Sequence, residues 1–325
     1  QAGPVGSADD GDVVDLGDSI LLPGLMDMEV NLLMGGRGEN PGLSRVQDDP
    51  ATRVLRAVGN ARRTLRAGFT TVRNLGLFVK TGGYLLDVAL SRAIDAGWID
   101  GPRVIPAGHA ITPTGGHLDP TMFAAFMPGV LELTVEEGIA NGVDEIRKAV
   151  RYQIKHGAQL IKVCCSGGVM SLTGEAGAQH YSDEELRVIV DEAHRRGLKV
   201  TAHTHGAEAV KHAVACGIDC IEHGFLMDDE AIQMLVDHDR FLVTMAPALV
   251  AMTSPLRAAR SRHTAVSYSR NTASPWRLNR SAMLSPARRS TAASVSTKSR
   301  PNRVASARPT VVLPVATKPT STMWR

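Results

Sequence analysis

The sequence predicts an α/β chain built from parallel βαβ units, most simply a (β/α)8 TIM barrel of which seven strands can be read. Three observations carry this. Short apolar runs alternate with amphipathic stretches from residue 20 to about 250. Metal-competent side chains sit at the C-terminal ends of successive runs, the face on which a β/α barrel places its chemistry. The alternation then stops abruptly where an eighth unit is due.

The apolar runs are 20–30, 70–75, 103–108, 160–165, 199–203, 220–223 and 241–249, and the helical patterns between them are 50–67, 84–96, 143–156, 182–196, 207–216 and 228–238. Ser182 with Glu185 makes a capping box, and Gly68, Gly97, Gly157, Gly197 and Gly217 each follow a last helical turn. Strand, helix, strand at this cadence argues for parallel strands with crossover helices. A doubly wound open sheet is the competing architecture. The barrel is preferred because ligand-type residues end consecutive strands four, five and six, and a closed ring aims those ends at one centre. Residues 110–141, rich in Gly, Pro and Met, form a loop on that same face.

At 325 residues and 43% hydrophobic content, the chain can bury a sizeable core. The net charge of +3 hides an asymmetry. Residues 1–240 carry 22 Lys and Arg against all 33 acids, whereas 241–325 carry 14 basic residues and no acid. From Thr253 onward, 52 of 73 residues are Ser, Arg, Ala, Thr or Pro, with no Gly. This tail, taken as 251–325, is expected to be unfolded. Its composition fits out-of-frame translation of a GC-rich gene better than a nucleic-acid arm, for which the aromatics Tyr268, Trp276 and Trp324 are too few. No apolar run is long enough for a membrane span. The opening residues lack the basic and apolar regions of a signal peptide, and the missing initiator Met points to a processed or truncated start. Cys164, Cys165, Cys216 and Cys220 show no CxxC spacing, so reduced thiols and a cytoplasmic location are expected.

His203 and His223 end neighbouring predicted strands, in Val-Thr-Ala-His-Thr-His-Gly and Cys-Ile-Glu-His-Gly, and neutral imidazole is a good zinc ligand. Lys162 lies in Leu-Ile-Lys-Val-Cys-Cys on the preceding strand, where burying an ammonium is costly. A neutral amine there is suited to a Schiff base or to capture of carbon dioxide as a carbamate. The alternative is a lysine that snorkels or pairs with a carboxylate such as Glu222.

With Leu22-Pro23-Gly24-Leu25-Met26-Asp27-Met28, Thr70-Thr71-Val72-Arg73-Asn74-Leu75-Gly76, Thr112-Pro113-Thr114-Gly115-Gly116-His117, Ser166-Gly167-Gly168-Val169, His203-Thr204-His205-Gly206 and Ile221-Glu222-His223-Gly224, the chain resembles the amidohydrolase superfamily. The branch is that of imidazolonepropionases and Xaa-Pro dipeptidases, and the resemblance covers about residues 12–250. It implies a binuclear divalent-metal centre, usually Zn2+, with a carboxylated Lys162 bridging and His203 and His223 as ligands. A metal-bound hydroxide would then attack an amide carbon of a small substrate such as a dipeptide or N-acyl amino acid. His205 is expected to support the ligands rather than to be one.

The departures are as specific as the matches. Glu29-Val30-Asn31 stands where the family has His-x-His on strand one, so Glu29 and Asn31 become harder oxygen donors. The strand-eight Asp that would serve as base has no counterpart, because no Asp follows Asp239. Only a remnant of the family's small β-sandwich is expected, over 1–19. A catalytically impaired relative is therefore the alternative to an active hydrolase. His117, Arg73 and Tyr181 are candidate substrate-binding residues, with a loop, an ion-paired and a structural role as their respective alternatives. His109, His156, His180, His194, His212 and His238 are expected to be solvated or capping. An incomplete barrel with exposed apolar edges would favour homo-oligomers.

Overall fold

A computed structural model describes residues 19–35, 44, 47–120, 132–169, 171 and 175–245. The expected sandwich remnant (save residue 19), the end of the seventh run and the basic tail lie outside these residues. The order is β1 (Leu25–Val30), α1 (Pro50–Arg66), β2 (Phe69–Asn74), α2 (Leu86–Asp95), β3 (Arg103–Pro106), a 3-10 turn (Val135–Glu137), α3 (Gly142–His156), β4 (Ile161–Cys164), α4 (Asp183–His194), β5 (Val200–Gly206), α5 (Ala207–Ala215), β6 (Cys220–Leu226), α6 (Asp229–Asp237) and β7 (Phe241–Val243).

Every strand pairs in parallel with its sequence neighbour, as β1-β2-β3 and β4-β5-β6-β7. The chain beyond β3 joins the two groups: the Ile111 amide donates to the Lys162 carbonyl (2.8 Å), and the Cys164 amide donates to the Ile111 carbonyl (3.0 Å). Consecutive order with no reversal is barrel order, not that of a doubly wound sheet. Polar contacts between β1 and both β4 and β6 show that the sheet curls around an interior. No β1–β7 pairing occurs among the described residues.

Local chemistry explains the elements. Asp49 caps α1 by accepting from the Thr52 amide (2.7 Å), with Pro50 at the first helical position. Ser182 and Glu185 form the anticipated capping box on α4. Gly157 and Gly217 end their helices at φ 108° and 97°, where a side chain would be strained. The first strand begins at Leu25 rather than at residue 20, because Ile20, Leu21 and Leu22 have no partner strand and remain exposed.

Strand alternation sorts the faces. Val72, Val104, Ile161, Val163, Val200, Ala202 and Ile221 point out to the helices, in two apolar cores. Arg73, Lys162, Thr201, His203 and Glu222 take the alternate positions and face the interior. No described helix is long and apolar enough to cross a membrane.

Candidate metal centre

Lys162, His203 and His223 converge as expected, and His205 joins them. The rings of His203 and His223 lie 4.6 Å apart, those of His203 and His205 4.7 Å, and those of His205 and His223 4.9 Å. One ring nitrogen from each of the three histidines falls within 4.8 Å of the others. All three are buried. His203 and His205 are two residues apart on β5 and so share its inner face. His223 is out of phase, because Glu222 already occupies the inward position on β6. A left-handed backbone at His223 (φ 74°), followed by Gly224 (φ 61°), swings its ring inward as well. Non-glycine residues adopt such a conformation at a cost that functional sites commonly bear.

The centre is rich in unpaired polar atoms. Glu29 Oε2, Lys162 Nζ, His203 Nε2, both ring nitrogens of His205, and His223 Nδ1 are buried without a hydrogen-bond partner. Buried polar groups are rarely left so. These donors therefore fit a divalent ion, with three imidazoles and a carboxylate as available ligands. Burial pushes His203 well below the usual imidazole value, His205 to about 4 and His223 to about 2, with Lys162 adding to each depression. Neutral imidazole is the ligating form.

Glu29 enters from strand one. Its Oε1 is 3.9 Å from Lys162 Nζ and 3.5 Å from His223 Nε2. Burial raises its pKa to about 8, against the pull of Lys162 and with the push of Glu222. Glu222, the carboxylate named in the alternative reading of Lys162, is taken by Arg73 at 2.7 Å and by Thr201.

Arg73, expected either to bind a substrate carboxylate or to pair with a local acid, makes such an ion pair here. It is committed to Glu222, and its Nε donates to the Met28 carbonyl (2.8 Å). Tyr181 is buried in the apolar core that includes Ile161, Val163 and Leu186, the structural placement given as its alternative. Asn31 lines a pocket with Leu33, Arg53, Asn74 and Leu77, and its Oδ1 is buried without a hydrogen-bond partner. His117 does reach the centre. Its ring stacks on His203 at 3.9 Å, and its Nδ1 is 2.9 Å from Ser171 Oγ, which also accepts from the Gly168 amide.

Two expected bystander histidines prove otherwise. His109 is fully buried, 2.9 Å from Thr81 Oγ1, and burial lowers its pKa to about 4. His212 on α5 gathers with Asp183 and Cys216 in a second cluster of ligand-type atoms. Its i,i+4 spacing to Cys216 was visible in the sequence, but the approach of Asp183 from α4 was not.

The chain matches the Amidohydrolase family over residues 20–273. It is 36% identical to ochratoxinase of Aspergillus niger over 230 residues, covering 66% of this chain and 45% of that protein. A crystal structure of a Xaa-Pro dipeptidase with bound methionine aligns with TM-score 0.61 and 34% identity, covering 68% of this chain and 52% of that one. A prolidase complexed with N-methylphosphonate-L-proline aligns with TM-score 0.61 and 31% identity, covering 77% and 63%. The chain thus spans about half the length of ochratoxinase and of the dipeptidase. With that match across most of its length, on the barrel and around the histidines, the chain belongs to the Amidohydrolase family.

Proposed function

We propose that this chain hydrolyses a C–N bond of a small amide, such as a dipeptide or an N-acyl amino acid, at a centre that takes a divalent metal ion. The observation that carries the reading is the set of three buried imidazoles whose ring nitrogens converge within 4.8 Å. A divalent ion in such a site supplies Lewis acidity and lowers the pKa of water. Relatives named as an ochratoxinase and an Xaa-Pro dipeptidase support a small amide or peptide substrate.

In this reading His203 and His223 hold the ion, with His205 and Glu29 as further donors. Zinc suits the imidazoles. Lys162 Nζ, free of hydrogen bonds, is where a carbamate would form. His117, stacked on His203, orients the substrate at the mouth of the centre. Glu29 reaches the centre from strand one, 3.5 Å from His223 and with Oε2 free of hydrogen bonds.

A second reading, a metal-binding relative without turnover, is favoured by Glu29 and Asn31 at the strand-one ligand positions. Metal analysis of the purified protein, with hydrolysis assays on X-Pro dipeptides and N-acyl amino acids, separates the two. Bound metal with turnover that is lost in His203→Ala supports hydrolysis. Bound metal without turnover supports the second reading, and absence of both sinks the metal centre itself.

A further inference from the structure

We propose that Asp183, His212 and Cys216 form a second cation site, thiolate-containing and suited to Zn2+, that clamps α4 to α5. One ligand-type atom from each residue lies within 4.8 Å of the other two. His212 and Cys216 are four residues apart at the end of α5, so their side chains share one face of the helix. Asp183 comes from the first turn of α4. These helices flank β5, the strand that carries His203 and His205, but the cluster belongs to the outer helical layer and does not depend on the reading of the interior centre.

The local geometry points to an ion rather than to a simple pair. His212 Nε2 is 2.6 Å from Asp183 Oδ1, yet it is a buried nitrogen without a hydrogen bond. The ring nitrogen is therefore close to the carboxylate without being aimed at it. The other oxygen, Oδ2, is held by Arg187 at 2.9 Å, which fixes the carboxylate and leaves Oδ1 for the cluster. Such outer partners orient metal ligands. Cys216 Sγ is buried 3.9 Å from the Asp183 carbonyl oxygen, too far for a strong interaction of its own.

Sulfur, nitrogen and oxygen ligands at about 2.3, 2.0 and 2.0 Å from zinc would lie roughly 3–4 Å from one another, within small rotamer adjustments of their present places. Asp183 is more than half exposed, so water can fill a fourth position. The charges balance. Zn2+ displaces the thiol proton to solvent, and one thiolate, one carboxylate and one neutral imidazole leave the site with no net charge.

Cobalt substitution of the full chain tests this, because the interior centre's three-histidine set contains no thiolate. Co2+ is expected to give a thiolate-to-metal charge-transfer band that disappears in Cys216→Ser and in His212→Ala but persists in His203→Ala. Absence of the band overturns the proposal, as does a band that survives Cys216→Ser or is lost only in Cys164→Ser. Should the variants not fold, alkylation of the wild-type thiols mapped by mass spectrometry decides. Zn2+ at ten times its dissociation constant should slow modification of Cys216 about tenfold. An unchanged rate means that the cluster is an ion pair beside a buried thiol and nothing more.

Discussion

Glu222 and His223 are adjacent on β6, yet both side chains face the barrel interior, Glu222 onto Arg73 at 2.7 Å and His223 towards Glu29 at 3.5 Å. A regular strand would send one of them outward among the helices. The left-handed backbone of His223 permits the arrangement, so one strand supplies both a structural carboxylate and a metal-competent ring. Asn tolerates that backbone and a β-branched residue does not. His223→Asn should therefore keep the fold and lose metal, whereas His223→Val should lose metal and about 1–3 kcal/mol of stability as well. Urea midpoints alongside metal content check this, and equal stability of the two variants would refute the role given to the backbone.

Glu29 and Lys162 connect the first strand to the fourth across the interior. In chelator-treated protein, Glu29→Gln and Lys162→Met should each destabilise, and the double variant should cost less than the two together by about 0.5–3 kcal/mol. A double-mutant cycle measures the difference. Simple additivity would mean that the two groups are merely neighbours.

Metal removal should loosen the centre, because ion-free protein keeps several unpaired polar atoms buried there. Chelation is expected to lower Tm, and Zn2+ at 100 times its dissociation constant should return about 2.7 kcal/mol. His203→Ala should greatly weaken the zinc response at this centre. Calorimetric melts with and without chelator read both effects.

Acid should weaken the ion-free protein in a defined window. His205 and His109 are buried neutral with values near 4, below the unfolded value of about 6.5. Their depressed values mean that the unfolded chain binds protons first. The stability is complete above about pH 6.5 and is lost as pH falls towards 4, by about 1.4 kcal/mol per group at pH 5.5. Denaturant midpoints at pH 7.5 and 5.5 measure the loss, which should shrink in His109→Gln.

Gly206 ends β5 directly against Gly177, where an added Cβ would lie 2.5 Å from the Gly177 carbonyl oxygen. Gly206→Ala is expected to cost about 1–3 kcal/mol through overpacking. Because Gly206 follows His205, the substitution should also weaken metal binding, as titration with Co2+ would report.

The sequence alone determined the alternation of seven strands and six helices, their caps, and the convergence of Lys162, His203 and His223. Those features follow from period-two and helical patterning and from local capping chemistry, which act over a few residues. Only the tertiary structure decided which partners the polar side chains take. Arg73 pairs with Glu222, and Tyr181 packs among Ile161, Val163 and Leu186. The His205 ring lies beside those of His203 and His223, and Glu29 rather than Glu222 lies against Lys162. Each of these depends on the curl of the sheet, which brings β1 opposite β4 and β6, and on one left-handed residue at His223. Curl and backbone handedness arise from packing across the whole barrel, and no local pattern of residues encodes them.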